Sequence, residues 1–299
     1  MTTLNAFLDL AICPASYDAV VFLAQAAMER DHIGATRMHV SVVGELRKKP
    51  QYDEAEAEWR LWNIVIPAAR LFGARVSYCD DWLQAERIAS AKDWKNWPPD
   101  WRGQTLVRRH HLVGGVVARH AAGDEVPQVR ASEHARRKVA RFFNILGLPV
   151  VTMTLRNTYL PERNTRREEW EAARAHVERC GYYALVIEDT DFALVHGDGY
   201  AELNLDLRAA CYELAELNLQ ANNGAASLCW FGAKPYRMFG AGVPREEWDG
   251  LFVKQGLPIG ESWPWAGPQQ KICYGETTTG QIINEFEEWR ASVGATSAL

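Results

Sequence analysis

The sequence predicts an α/β chain made of two doubly wound domains that face each other across a cleft. Three observations lead there. Apolar runs of strand length alternate with amphipathic stretches of helical length, the pattern of parallel strands joined by crossover helices. The alternation runs through one cycle and starts again after Pro149. The length of 299 residues, 47% hydrophobic and 24% charged, is enough for two cores of ordinary domain size. A boundary is expected near 125–148, giving an N-terminal domain of residues 1–130 and a C-terminal domain of residues 131–299.

Asn5–Cys13 is apolar and bounded by Pro14, so it reads as a buried strand. Tyr17–Arg30 is apolar on a helical period, with Ser16 placed to cap it. Met38–Val43 is the second strand and ends at Gly44. Glu54–Phe72 reads as one long amphipathic helix stopped by Gly73, and Val76–Cys79 as the third strand. From Asp80 to Arg109 the rhythm fails, and Trp82, Trp94, Trp97 and Trp101 alternate with polar residues in an irregular excursion with short helices. Ser132–Leu146 is a basic helix closed by Gly147. Val150–Leu155 opens the second cycle, and Thr165–Glu168 fits a capping box for a helix running to Cys180. Tyr183–Glu188 reads as a strand, Asp206–Asn222 as a helix, Ala225–Phe231 as an apolar run and Thr279–Trp289 as the last helix.

Several function classes lose support at once. A net charge of −5 argues against sequence-blind nucleic-acid binding, which needs a basic surface. The six cysteines form no CxxC pair and sit mostly in apolar runs, as reduced core thiols of a cytoplasmic protein do. No basic segment opens the chain, so no signal peptide is expected, and apolar stretches such as Ala19–Met28 are too short to span a bilayer. No P-loop, Gly-x-Gly-x-x-Gly or Gly-x-Ser-x-Gly motif occurs, and neither His110-His111 nor His196 has metal-ligand spacing. No metal and no separate cofactor are expected, and oligomeric state is left open.

Doubly wound sheets bind ligands beyond the carboxyl ends of their strands. The loop after Leu155 is the strongest such signal. Arg130–Arg167 carries nine basic and two acidic residues, inside a C-terminal half that is itself net −5. Arginine suits bidentate capture of phosphate. Arg156, at the end of a buried strand, and Arg163 are read as ligand-binding, with Asn157 beside them. Arg166 and Arg167 are read as a solvated face pairing with Glu168, Glu169 and Glu171. The second signal is Asn222-Asn223-Gly224-Ala225-Ala226-Ser227, whose small residues let backbone N–H groups approach a diphosphate, though Asn-Gly also makes ordinary turns. The third is Glu188-Asp189-Thr190-Asp191, where a carboxylate at a strand end can hold a ribose or can simply be solvated. Trp59, Trp62, Trp170 and Trp289 are expected in the core, and Trp263-Pro264-Trp265 reads as loop packing before a carbohydrate surface.

Two Rossmann-like halves resemble the GT-B fold of glycosyltransferases. The Leu155-Arg156-Asn157 strand end with Arg163 resembles the strand-to-loop arginine region of the O-fucosyltransferase-like group. The Asn222–Ser227 turn is similar to the small-residue diphosphate loop of heptosyltransferase-like enzymes. The strand end lacks the His-x-Arg of the former, and the turn lacks the Asp-Ser/Thr-Gly of the latter. The resemblance implies a sugar nucleotide bound mostly on the C-terminal half, with the acceptor on the N-terminal side. The leading expectation is therefore a cytoplasmic glycosyltransferase of polysaccharide biosynthesis. It uses a nucleotide-diphosphate sugar, with Arg156 and Arg163 meeting the diphosphate charge and Asn157, Asp189, Thr190, Asn222, Asn223, Gly224 and Ala225 binding the donor. Asp9, Glu45 and Asp80 are the candidate general bases. The alternatives are a sugar-nucleotide epimerase on the same scaffold and a non-catalytic scaffold that presents the excursion 82–101 to a partner.

Overall fold

The computed structural model describes residues 2–13, 15–44, 54–102, 109–158, 161, 164–190, 204–241 and 252–296. The chain divides into two compact units, Met1–Arg130 with Ala193–Asp206, and Ala131–Phe192 with Leu207–Leu299. Each holds one parallel sheet with helical crossovers, so the chain is α/β with two Rossmann-like domains.

In the first unit, β1 (Thr3–Asp9) is buried along its whole length, as a strand covered on both faces must be. It pairs in parallel with β2 (Arg37–Val43), which pairs with β3 (Arg75–Cys79). The long predicted helix is α2 (Glu54–Arg60), a π turn (Leu61–Val65) and α3 (Ile66–Leu71) in succession. Pro67 has no N–H to offer the preceding turn, and the extra residue of the π turn lies immediately before it. Gly73 adopts φ +73° at the exit, the left-handed stop its sequence position implies. The apolar helix α1 (Asp18–His32) begins after Tyr17, and no side chain caps it, although Ser16 Oγ accepts from Asp18 N at 3.3 Å.

The tryptophan excursion is ordered. It forms α4 (Trp82–Ala89) and a fourth strand, β4 (Trp94–Trp97), which pairs with β1 and completes the order β3-β2-β1-β4. Trp101 stacks on Phe7 with centroids 4.0 Å apart, and Trp97 is buried against Phe22. These two rings serve the first core, while Trp82 and Trp94 are half-buried. Helix α5 (Val113–Ala121) then packs on α1.

In the second unit, α6 (Glu133–Leu146) is capped by Ser132, whose Oγ accepts from Ala135 N at 3.1 Å, and stops at Gly147 in the left-handed region. Strand β5 (Val150–Asn157) lies between β6 (Tyr183–Thr190) and β7 (Leu217–Ala221), with α7 (Arg167–Arg179) as one crossover. Helix α8 (Leu205–Leu214) precedes β7, and α9 (Ser227–Trp230) follows it after a 3-10 turn at Gly224–Ala226. Strands β8 (Tyr236–Ala241) and β9 (Gln270–Tyr274) extend the sheet to the order β6-β5-β7-β8-β9, and α10 (Thr279–Thr296) ends the described chain. Trp170, Phe286 and Trp289 are buried against the strands, as their helical positions predict, whereas Trp62 is 52% exposed.

Two further local expectations fail. The predicted helix Asp206–Asn222 ends at Leu214, and Leu217–Ala221 is a fully buried central strand. Its residues are good helix formers and the connection is only Ala215-Glu216, without Gly or Pro, so periodicity could not separate the two elements. The capping box at Thr165 does not form, because Thr165 Oγ1 donates to the Arg156 carbonyl at 3.1 Å and the helix starts after Arg166, uncapped by a side chain.

Candidate functional site

The order of the second sheet decides where to look. The chain leaves β5 for β6 on one side and later crosses to β7 on the other, so the carboxyl ends of β5 and β7 flank a topological switch point. Open parallel sheets bind ligands there, where adjacent crossovers diverge and leave a crevice.

Arg156 stands at the end of β5, and Asn222 directly follows β7. The Arg156 Nη1 donates to the Asn222 carbonyl at 2.7 Å, so the guanidinium spans the mouth between the two strand ends. Its own carbonyl is held by Thr165, through N at 3.0 Å and Oγ1 at 3.1 Å. Thr158 and Asn164 brace the same loop, the Asn164 Oδ1 accepting from Thr158 N at 2.7 Å. Asn157 is paired in the ladder with Thr190 and is half-buried.

Asn223 turns the chain from strand to helix. Its Oδ1 accepts from Ala226 N at 2.9 Å, while Ser227 Oγ donates to the Gly224 carbonyl at 2.7 Å. The Nδ2 of this buried residue has no hydrogen-bond partner among the described residues. A buried amide donor left unmade costs free energy that an incoming acceptor would recover. Gly224 is exposed, whereas Ala225 is fully buried, so Gly224 is the position of this turn that solvent reaches.

The sequence reading missed Arg208. This 1% exposed arginine on α8 donates to Asp189 Oδ1 at 2.9 Å and to the Glu188 carbonyl at 3.1 Å. Asp189 is therefore not the solvated carboxylate of a free turn. It sits beside Arg156 in the β5–β6 ladder, so Arg156 and Arg208 together leave this rim positive. The signal available in the sequence was one arginine inside the otherwise apolar face of Leu205–Leu214. Arg166 reaches Glu276 at 2.6 Å, and Arg167 pairs with Glu188 and Glu171, so both are engaged in ion pairs, mostly with partners outside their own helix. Arg163 and Glu45 lie outside the described residues, as does the side chain of Thr190.

In the first unit the order β3-β2-β1-β4 puts the corresponding switch point at the ends of β1 and β4. Asp9 is the last residue of β1. It is buried, and its Oδ1 accepts from Ala11 N at 2.8 Å. Burial pushes its carboxyl above the ordinary carboxylate range, against the opposing pull of hydrogen bonds from Ala11 and Ile12. Asp80 is exposed and accepts from Gln84 Nε2 at 3.3 Å.

Trp263 is buried and stacks in parallel with Trp265, which stacks in turn on Phe231, so this pair packs its loop as expected. All six cysteines are free thiols. No helix among the described residues is long and apolar enough to cross a membrane.

No protein-family model matches the chain, and no curated protein matches it in sequence. Solved structures do match over nearly its whole length. The glycosyl transferase family 9 protein of Veillonella parvula superposes with a TM-score of 0.53 at 10% identity, over 96% of this chain and 97% of that one. The ADP-heptose lipopolysaccharide heptosyltransferase II of E. coli gives 0.55 at 10% identity, over 98% and 100%. The chain has the GT-B fold. A third GT-B neighbour, the dodecameric iron-containing heptosyltransferase TibC in complex with ADP-D-beta-D-heptose, gives 0.50 at 12% identity over 97% of this chain and 77% of that one. At these identities the likeness lies in the fold, and the residues at the two switch points carry any statement about chemistry.

Proposed function

We propose that this GT-B chain is a glycosyltransferase that binds a nucleotide-diphosphate sugar on its second unit and transfers the sugar to a glycan or other acceptor. The observation that carries the reading is the Arg156–Asn222 bridge across the β5/β7 switch point, with the Asn223 amide beside it. As the glycosidic bond to the diphosphate breaks, negative charge gathers on the leaving group. Fixed cationic and N–H donors that meet that charge lower the barrier. Arg156 takes this role, with Arg163 from the same loop, and Asn157, Asn222, Asn223, Gly224 and Ala225 line the diphosphate. Asp189 and Thr190, on the neighbouring strand end, are assigned to the ribose. Two of the structural neighbours are named for ADP-heptose, so an ADP-sugar is the first donor to test.

An inverting transfer also needs a base for the acceptor hydroxyl. Of the two candidates among the described residues, Asp9 fits better, because it is buried at the end of a strand where burial raises its proton affinity, whereas Asp80 is exposed.

Charge-assisted hydrogen bonds contribute about 1.5–3 kcal/mol each, so losing one weakens binding about tenfold to a hundredfold. Arg156→Ala is expected to lower ADP affinity by about tenfold or more, read by calorimetry, with the circular dichroism of the fold unchanged. Equal affinity in a folded variant overturns the assignment. Donor turnover in the absence of any acceptor would instead point to the epimerase.

A further inference from the structure

A second cluster lies at the other edge of the second sheet. His176 and Cys180 are one turn apart on the last part of α7 and its exit, and Glu287 faces them from α10. The His176 Nε2 is 2.7 Å from Glu287 Oε1, and the Cys180 Sγ is 3.7 Å from that nitrogen and 3.6 Å from that oxygen. All three residues are half-buried and stay open to solvent on one side. The second carboxylate oxygen of Glu287 is held by Arg290, from Nε at 2.9 Å and Nη2 at 2.5 Å, which aims Oε1 at the other two groups. The imidazole is set edge-on against Phe286, so its ring plane is fixed by the core beneath it.

We propose that His176 Nε2, Cys180 Sγ and Glu287 Oε1 form a zinc site that clamps α7 to α10, with water as the fourth ligand. The donor set carries the choice of metal. One imidazole, one thiolate and one carboxylate combine soft and hard ligands, which Zn²⁺ accepts because it imposes no d-electron geometry. The distances carry the geometry. Zinc bonds of about 2.3 Å to sulfur and about 2.0–2.2 Å to nitrogen and oxygen give tetrahedral edges of about 3.3–3.6 Å. Both edges to sulfur already have close to that length. The nitrogen–oxygen edge, now a hydrogen bond, must open by about 0.6 Å to reach it, a side-chain movement within two rotatable groups. On binding, the Cys180 thiol releases its proton to solvent and the imidazole keeps one proton, on Nδ1. Thiolate and carboxylate then balance the two charges of the ion.

The site is remote from the switch point. Cys180 lies three residues before the first residue of β6, at the amino edge of the sheet, whereas Arg156 is the penultimate residue of β5, at the carboxyl edge. The test is titration of the full-length, metal-free protein with Co²⁺, a spectroscopic stand-in for zinc, and then with Zn²⁺. One equivalent of Co²⁺ is expected to raise a thiolate-to-cobalt charge-transfer band with tetrahedral d–d absorption, which Zn²⁺ bleaches while raising the melting temperature. Cys180→Ser should abolish the charge-transfer band, and Glu287→Gln should weaken cobalt binding severalfold, with ADP affinity intact in both. No band in the wild type, or a band that survives Cys180→Ser, overturns the proposal. Cys180 and Glu287 take no part in the nucleotide reading, so either reading can fail without the other.

Discussion

Asp9 and Asn223 are each asked to do a task that a single substitution can isolate. The raised proton affinity of Asp9 ties stability to pH in a definite direction. The folded state holds this proton more firmly than the unfolded chain. Its contribution to stability is therefore fully present below the unfolded carboxylate value and is lost as pH climbs through the folded one. Asp9→Asn should remove that loss, so the melting temperatures of variant and wild type draw together in acid and separate toward neutral pH in favour of the variant. If Asp9 is the base, the same substitution abolishes transfer, and the wild-type rate rises with pH along a limb above the usual carboxylate range.

Asn223→Asp keeps the oxygen that caps Ala226 but exchanges the buried donor for negative charge. The new buried charge should lower the melting temperature toward neutral pH, and in the folded variant ADP affinity should fall severalfold. A variant that binds ADP as the wild type does would remove Asn223 from the diphosphate seat. Arg156 and the Asn222–Gly224 turn were both legible in the sequence, because an arginine closing an apolar strand and a small-residue bend are local signals. Arg208 was not. Its partners arrive from a strand end about twenty positions earlier, and helical periodicity says nothing about what an inward-pointing guanidinium meets.

At the scale of elements, α1 and α5 meet through a glycine. A Cβ built on Gly115 would lie 2.4 Å from Gln25 Oε1. The Gln25 amide cannot swing aside cheaply, since its Nε2 donates to the carbonyls of His110 and Leu112 at 3.0 and 3.1 Å. Gly115→Ala should therefore destabilise the protein despite the better helix propensity of alanine, by about 1–3 kcal/mol in chemical denaturation. A neutral or stabilising outcome would show that the two helices can part. The elements most plainly written in the sequence are those bounded by glycine or proline, such as β2 before Gly44, α6 before Gly147 and α7 before Gly181. Strands β4, β7, β8 and β9, of four to six residues, escaped notice, although β3, five residues long, was legible after Gly73. Thr152 Oγ1 donates to Asn218 Oδ1 at 2.6 Å inside the sheet, a polar pair that locks two strands 66 residues apart and that no local window contains.

Taken whole, the molecule is acidic, with a net charge of −5, yet gathers basic residues between Arg130 and Arg167. A nucleoside diphosphate held by arginine in this setting approaches a protein that repels it at long range and attracts it at short range. Raising ionic strength screens the distant repulsion and, less completely, the buried contact. ADP affinity should consequently fall only modestly between low and physiological salt, far less steeply than for a protein that holds polyanions through many exposed lysines and arginines. Calorimetry across a salt series measures this directly, and a steep loss would mean that exposed charges, and not Arg156, hold the ligand.

Every ladder described in both sheets is parallel. Strands that lie side by side are thus never joined by a hairpin, and each pairing must wait for an intervening helix to be made and folded back. During synthesis the four strands of the first sheet have all emerged by Trp97, before any strand of the second exists. A nascent chain can then assemble its first sheet while ribosomes are still supplying the second, which shortens the time during which bare strand edges invite aggregation.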